Sequence, residues 1–438
     1  MTAPTDGKMG FWMTWGLVVG TIIGAAIFTL PLALAPLGLN AVIGWFVSGI
    51  GVLCLGYALA QLSRLGGEGI QANIEQEFGP TIAFITTWGF WVSYWSAQAS
   101  VAIGIALALS FIGPQFGGPG LVLPVAIGCV VLLTAVNAIG VRASGSLSLL
   151  TIAIKVLPLF AVIWLFAERG TSGVAFEPFA PVPTDISTIA TATALTFFAF
   201  TGFEAATAPV GKVRDAARTI PRALLGGTAF VVLLYLAAAI SIQMLLPADV
   251  VAASPAPFAD AMVGRWGHEV ASLAAVAIAI SAFGCLNGLI LSTGELGYSM
   301  ALRKDLPAFM ARTHGANTPI VSQLVGAGLT ILLLLANSSR ATVSLYTFII
   351  LLSTAALIPV YAFGALAAWK SSPGTLARSV LAIALIFVAF AAYGTGVEAD
   401  LWCLVLLAIG LAIRAIVRRF SSGATSPALA AAQVAPPG

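Results

Sequence analysis

Twelve runs of predominantly apolar residues divide this chain, at 11–36, 40–64, 80–112, 121–140, 144–167, 185–210, 223–246, 269–302, 319–337, 342–369, 376–395 and 400–418. Each is close to or above the roughly 20 residues that an α-helix needs to cross a bilayer. Only helices and closed barrels satisfy their backbone polar groups in hydrocarbon. Barrel strands need about 9–11 residues, so runs of this length predict an all-α polytopic membrane protein of 12 transmembrane helices. Charge tells the same story. Only 8% of the 438 residues are charged and 60% are apolar, against about 25% charged in soluble domains. Such a chain cannot cover a water-facing surface, which excludes a soluble enzyme.

The 19 Lys and Arg residues set the orientation. With the N-terminus inside, only Arg169, Arg265 and Arg340 lie outside, and Lys155 alone falls within a span. This bias predicts cytoplasmic termini. The first apolar run follows a short tail carrying Lys8 and reads as a retained span rather than a leader. The last residues, rich in Ser, Ala and Pro, read as a disordered tail. Four cysteines (Cys54, Cys129, Cys285, Cys403) sit in apolar runs without CxxC spacing, and His268 and His314 are the only histidines. Neither a metal nor a cofactor is expected. No basic cluster points to nucleic acid.

Three ionisable residues stand out within the spans: Lys155 in TIAIKVLPLF, Glu204 in FFAFTGFEAATAPV and Glu295 in LILSTGELGYSM. Charge at such depth is costly and marks functional sites facing the bundle interior. Glu295 lies eight residues before Arg303, so reaching the interface explains it as well as function does. Lys155 lies near mid-depth and Glu204 beside a break. Gly16, Gly20 and Gly24 recur every four residues in span 1, a stripe that admits close helix packing. Gly24-Ala25-Ala26 goes further, because nothing bulky shields the backbone there. Span 6 has a counterpart in Thr201-Gly202-Phe203-Glu204. Spans 1 and 6 run in opposite directions, so two weak points near mid-depth predict a five-helix unit repeated in inverted topology, with broken helices 1 and 6. Helix termini freed at such breaks bind carboxylate and ammonium groups, and an α-amino acid carries both.

The runs GTIIGAAIFTLP (span 1), GGEGIQANIEQEFGP (after span 2), FFAFTGFEAATAPVGKVRDAARTIPRAL (span 6 onward) and YSMALRKDLPAFMARTHGANTPI (after span 8) together resemble the amino acid–polyamine–organocation transporters. Within that superfamily, FWVSYWSAQASVAI in span 3 is most similar to the arginine/agmatine antiporter branch. The resemblance implies a leucine-transporter-type 5+5 inverted repeat: a tail at 1–10, repeats at 11–167 and 185–369, accessory helices at 376–418 and a tail at 419–438. It implies alternating access in a bacterial inner membrane, by an amino acid exchanger or a proton-coupled symporter, with an amino acid, protons, the bilayer and a second copy of the chain as partners. Residue by residue, it places the substrate carboxylate at Ile23, Gly24, Ala25 and Ala26, with Thr21 nearby. It places the ammonium at the carbonyls of Phe198, Ala199 and Thr201, with the Phe198 ring as gate. Side-chain specificity falls to Ser93, Tyr94, Gln98, Ser292, Leu352 and Ser353. Glu204 takes a gating or proton-coupling role. Lys155 takes the place of sodium, which implies sodium independence.

The chain departs from that pattern where cations would stack. Ser292 stands for the branch's helix 8 tryptophan, Phe198 for its helix 6 tryptophan and Thr21 for its helix 1 asparagine. A cation-stacking pocket is thus lost, and a neutral amino acid is favoured over arginine, agmatine or a polyamine. Gln98 reads equally as an interhelical hydrogen bond or a substrate contact. Trp88, Trp91 and Trp95 read as lipid or packing contacts. The spans offer none of the paired groups an intramembrane enzyme needs. A single chain of pseudo-repeats argues for a carrier over a channel, and no phosphate-binding G-x-x-x-x-G-K-[ST] of a primary pump is present.

Overall fold

A computed structural model describes residues 9–64, 70–116, 120–138, 145–204, 213–314, 318–372 and 374–422. Among these residues the regular structure is helical, apart from two isolated bridges, Met9 with Val213 and His314 with Thr318, and residues 173–185 form a non-helical stretch. The helices are α1 (Phe11–Ile22), α2 (Ala26–Thr29), α3 (Pro31–Leu34), α4 (Leu39–Arg64), α5 (Ile70–Ile112), α6 (Val122–Ala138) and α7 (Gly145–Ser172). They continue as α8 (Ile186–Phe200), α9 (Ala216–Leu245), α10 (Ala248–Ala253), α11 (Pro257–Leu302), α12 (Ile320–Ala336), α13 (Thr342–Ser371) and α14 (Thr375–Ser422). Among the described residues, seven stretches are long and apolar enough to cross a membrane, and α6, α8 and α12 are shorter apolar helices. The molecule is a polytopic all-helical membrane protein.

The helices depart from the sequence expectation at three glycines. Gly79 (φ 82°), Gly267 (φ 78°) and Gly396 (φ 81°) each turn a helix sharply without a loop, in a region of φ that side chains avoid. Gly79 joins a short helix from Ile70 to the third span. Gly267 joins another, from Pro257, to the eighth. Gly396 alone separates the runs expected at 376–395 and 400–418. The final helix also continues to Ser422, past the expected start of the tail at 419. The rest of that tail, Lys8, Arg142, Lys212 and the GGEG stretch at 66–69 lie outside the described residues.

Small residues set the packing around the breaks. A Cβ on Gly44 of α4 would lie 2.7 Å from the Ala192 side chain of α8. Beside it Ser48 Oγ donates to Thr193 O at 2.9 Å and pairs with Thr196 Oγ1 at 2.7 Å. Such short hydrogen bonds are the glue of helices in lipid. Trp88, Trp91 and Trp95 are buried with Phe84, Met300, Leu306 and Met310 in a second core cluster. Trp88 Nε1 also donates to Leu406 O at 2.9 Å. The tryptophan stripe of span 3 is therefore interior packing and does not face lipid.

Candidate functional site

Two helices stop in the middle of the bundle and do so against each other. α1 ends at Ile22; Ile23 has ψ 89°, and helix resumes only at Ala26. α8 ends at Phe200; Thr201 is extended (ψ 153°) and Gly202 has φ 108°. A Cβ on Gly202 would sit 2.8 Å from the carbonyl oxygen of Thr21. Only glycine lets the second break rest on the backbone of the first.

The broken end of α1 exposes carbonyls that its own helix cannot satisfy. Side chains from two other helices take them. Lys155 Nζ of α7 donates to Gly20 O at 3.2 Å, and Tyr235 Oη of α9 donates to Ile22 O at 3.1 Å. An ammonium at a helix C-terminus is favourable by charge as well. Lys155 is 8% exposed. Cys285 of α11 closes a third side, its Sγ 3.1 Å from where a Gly24 Cβ would lie. The Ile23 N–H is bonded to Val19 O at 2.9 Å. The Thr21 hydroxyl turns back to Leu17 O at 2.8 Å.

The span 6 break is arranged differently. The Phe198 carbonyl accepts both the Thr201 N–H at 3.1 Å and its hydroxyl at 2.7 Å. Phe198 and Ala199 are buried. Glu204 Oε2 accepts the Gly202 N–H at 3.0 Å and the Tyr361 hydroxyl at 2.9 Å, and the Tyr94 hydroxyl reaches the same carboxylate. Phe203 stacks on Tyr361 with ring centroids 5.5 Å apart. Glu204 thus joins the break to α5 and α13.

Several of the specificity candidates have partners within the protein. Ser93 and Ser353 are buried and bond to each other, Oγ to Oγ at 2.8 Å, with Ser353 Oγ also donating to Ser93 O at 3.0 Å. Gln98 Nε2 donates to Thr293 Oγ1 at 2.8 Å, and its Oε1 accepts from Thr330 Oγ1 at 3.2 Å. Its carboxamide is committed to α11 and α12, which is the interhelical alternative. Leu352 is buried on α13 and Ser292 half-buried on α11. Glu295 is exposed on α11, away from the two breaks. Tyr235, Tyr361 and Cys285 are not among the site residues expected from the sequence. A tyrosine in mid-span must find a partner for its hydroxyl, and that was the available signal for the first two.

A polytopic helical protein with two broken helices meeting at a buried lysine and glutamate is built as a transporter and not as an enzyme. A sequence model described as amino acid permease matches residues 9–417, and the chain belongs to the amino acid permease family. It is similar to the cadaverine/lysine antiporter of Escherichia coli (strain K12), at 28% identity over 77% of each chain. It is also similar to the serine/threonine exchanger SteT of Bacillus subtilis (strain 168), at 29% identity over 70% of this chain and 71% of that one. The putrescine transporter PotE of Haemophilus influenzae is 27% identical over 76% of this chain and 78% of its own length.

Proposed function

We propose that this permease exchanges amino acids across the bacterial inner membrane by alternating access, with both termini cytoplasmic and the repeats at 11–167 and 185–369 inverted. The observation that carries the reading is the contact of Gly202 with the Thr21 carbonyl, because it joins two sets of helix ends at one point. The substrate carboxylate meets the stretch Ile23, Gly24, Ala25 and Ala26, at the positive end of the resumed helix. Its ammonium meets the carbonyls of Ala199 and Thr201, with Phe198 over it. The Phe198 carbonyl contributes least, since Thr201 already fills its lone pairs. Lys155 holds a cation on the carbonyls where a sodium ion would otherwise be attracted, so transport is sodium-independent. Glu204 couples protons or gating through Tyr94 and Tyr361.

A neutral amino acid is the favoured substrate, because Ser292 and Phe198 stand where the arginine/agmatine branch has tryptophans to stack a guanidinium. Exchange of a cationic amino acid or polyamine is the second reading. Glu204 beside the break favours it, as do the names of the cadaverine/lysine and putrescine relatives. Proteoliposomes given a radiolabelled panel of amino acids and amines decide between them. Uptake is expected only with internal amino acid, without sodium, and with neutral substrates competing best. Sodium-dependent uptake, or no uptake of any amino acid or amine, overturns the proposal.

A further inference from the structure

The end of the molecule that carries Met9 and Val213 holds a patch unrelated to the site above. Met9 and Val213 form a parallel bridge, with Arg214 N–H donating to Met9 O at 2.9 Å, so α1 and α9 start side by side. A ladder of rings climbs from there. Phe11 meets Trp12 at 5.1 Å between centroids, Trp12 meets Trp15 at 6.2 Å, and Trp15 meets Phe230 of α9 at 5.3 Å. Trp12 is 76% exposed. Gly226 faces the same ladder: a Cβ there would lie 3.8 Å from Trp15 Nε1. Arg218, Arg222 and Gly226 follow at intervals of four, all exposed, and so share one face of α9. Among the described residues neither arginine makes an ion pair or a side-chain hydrogen bond, and Asp215, one turn earlier, pairs with neither.

Two guanidinium groups without carboxylate partners, at the membrane end of a helix, call for an anion. Arginine meets phosphate with paired N–H donors. The neighbouring surface is aromatic and floored by a residue with no side chain, which suits a hydrocarbon chain. Tryptophan marks the depth where headgroup meets acyl chain. We propose that this face binds an anionic glycerophospholipid, its phosphate on Arg218 and Arg222 and one acyl chain along Trp15, Gly226 and Phe230. Free phosphate would use the arginines and leave the ring ladder idle. A zwitterionic lipid would bring a cation to two cations. The site rests on the chain lying in a bilayer and is independent of which substrate it carries or which way it faces.

Full-length protein purified in neutral detergent tests this by native mass spectrometry and thermal unfolding. The added probes are phosphatidylglycerol, phosphatidylcholine or inorganic phosphate. The wild type is expected to retain phosphatidylglycerol over phosphatidylcholine and to unfold at a higher temperature with it. Arg218→Gln with Arg222→Gln is expected to lower that retention by about tenfold. Removing two basic residues elsewhere, Arg312→Gln with Arg419→Gln, leaves it intact. Gly226→Leu, which sets a bulky side chain against Trp15 where the acyl chain would lie without altering charge, is expected to weaken retention as well and guards against misfolding of the arginine pair variant. Equal retention of both lipids, unchanged retention in the arginine pair variant, or the same thermal shift with inorganic phosphate overturns the proposal.

Discussion

Gly202 carries two constraints at once, a φ of 108° and a carbonyl 2.8 Å from where its Cβ would be. Either is strained for alanine, at roughly 1–3 kcal/mol for a sparsely populated backbone region. Gly202→Ala is expected to cut exchange in proteoliposomes by about tenfold or more, with little loss of protein in the membrane. Gly24 is held differently, because its neighbour is the movable Sγ of Cys285. Gly24→Ala alone is expected to slow transport, and adding Cys285→Ala to restore it. A double-mutant cycle with no coupling would show that the thiol does not shape the break. Lys155→Ala removes the donor on the Gly20 carbonyl and is expected to abolish turnover or sharply alter its pH dependence; uptake unchanged at every pH contradicts that role. Glu204→Gln keeps the shape but not the titration, so a flattened pH profile is expected. Both breaks were legible in the sequence because Gly24-Ala25-Ala26 leaves more backbone unshielded than close helix packing asks for, and span 6 repeats the weak point at Thr201-Gly202. The partners of those breaks were not. That Tyr235 meets Ile22 and Tyr361 meets Glu204 depends on which helix faces stand opposite one another, and periodicity within one run carries no such information. Gln98 was ambiguous for the same reason.

The elements are tied at their ends by ion pairs, and one of these is buried. Asp305, just past α11, takes Arg414 Nε at 2.7 Å and Arg418 Nη2 at 2.9 Å on a single oxygen. Arg414 also donates to Pro80 O at 2.8 Å and lies 4.8 Å over the Phe84 ring. Asp305 and Arg414 are each 5% exposed. The cluster therefore fastens the last helix to the eighth and third. Removing one partner of a buried pair strands the other charge, at about 3–5 kcal/mol. Asp305→Ala is expected to lower thermal stability in detergent by that order. The exposed pair Arg265–Glu168 should change stability by less than about 1 kcal/mol when broken. None of these partners could be read from charge spacing along the chain, because each joins residues far apart in sequence. The glycine turns at 79, 267 and 396 were equally hidden: a lone glycine between apolar runs reads as a loop, and only its φ shows a hinge between abutting helices.

At the scale of the whole molecule the scarce charges still govern, now through topology. A chain with so few Lys and Arg spends almost none inside the bilayer, and their distribution predicts which end faces the cytoplasm. The helix ends make that prediction concrete. Ser172 closes α7 beside Arg169, and Ser379 lies in the first turn of the last helix beside Arg378; both are exposed. By the basic-residue bias, Ser172 faces outward and Ser379 faces the cytoplasm. In a variant with the four native cysteines replaced by alanine, Ser172→Cys should react with a membrane-impermeant maleimide in intact cells. Ser379→Cys should react only after the inner membrane is opened. The two positions are separated in the chain by five expected spans, α8, α9, α11, α12 and α13, so one span missed or added between them would put both thiols on the same side. Labelling of both in intact cells, or of neither, would therefore overturn the span count in that segment, and reversed labelling would overturn the orientation while leaving the count intact.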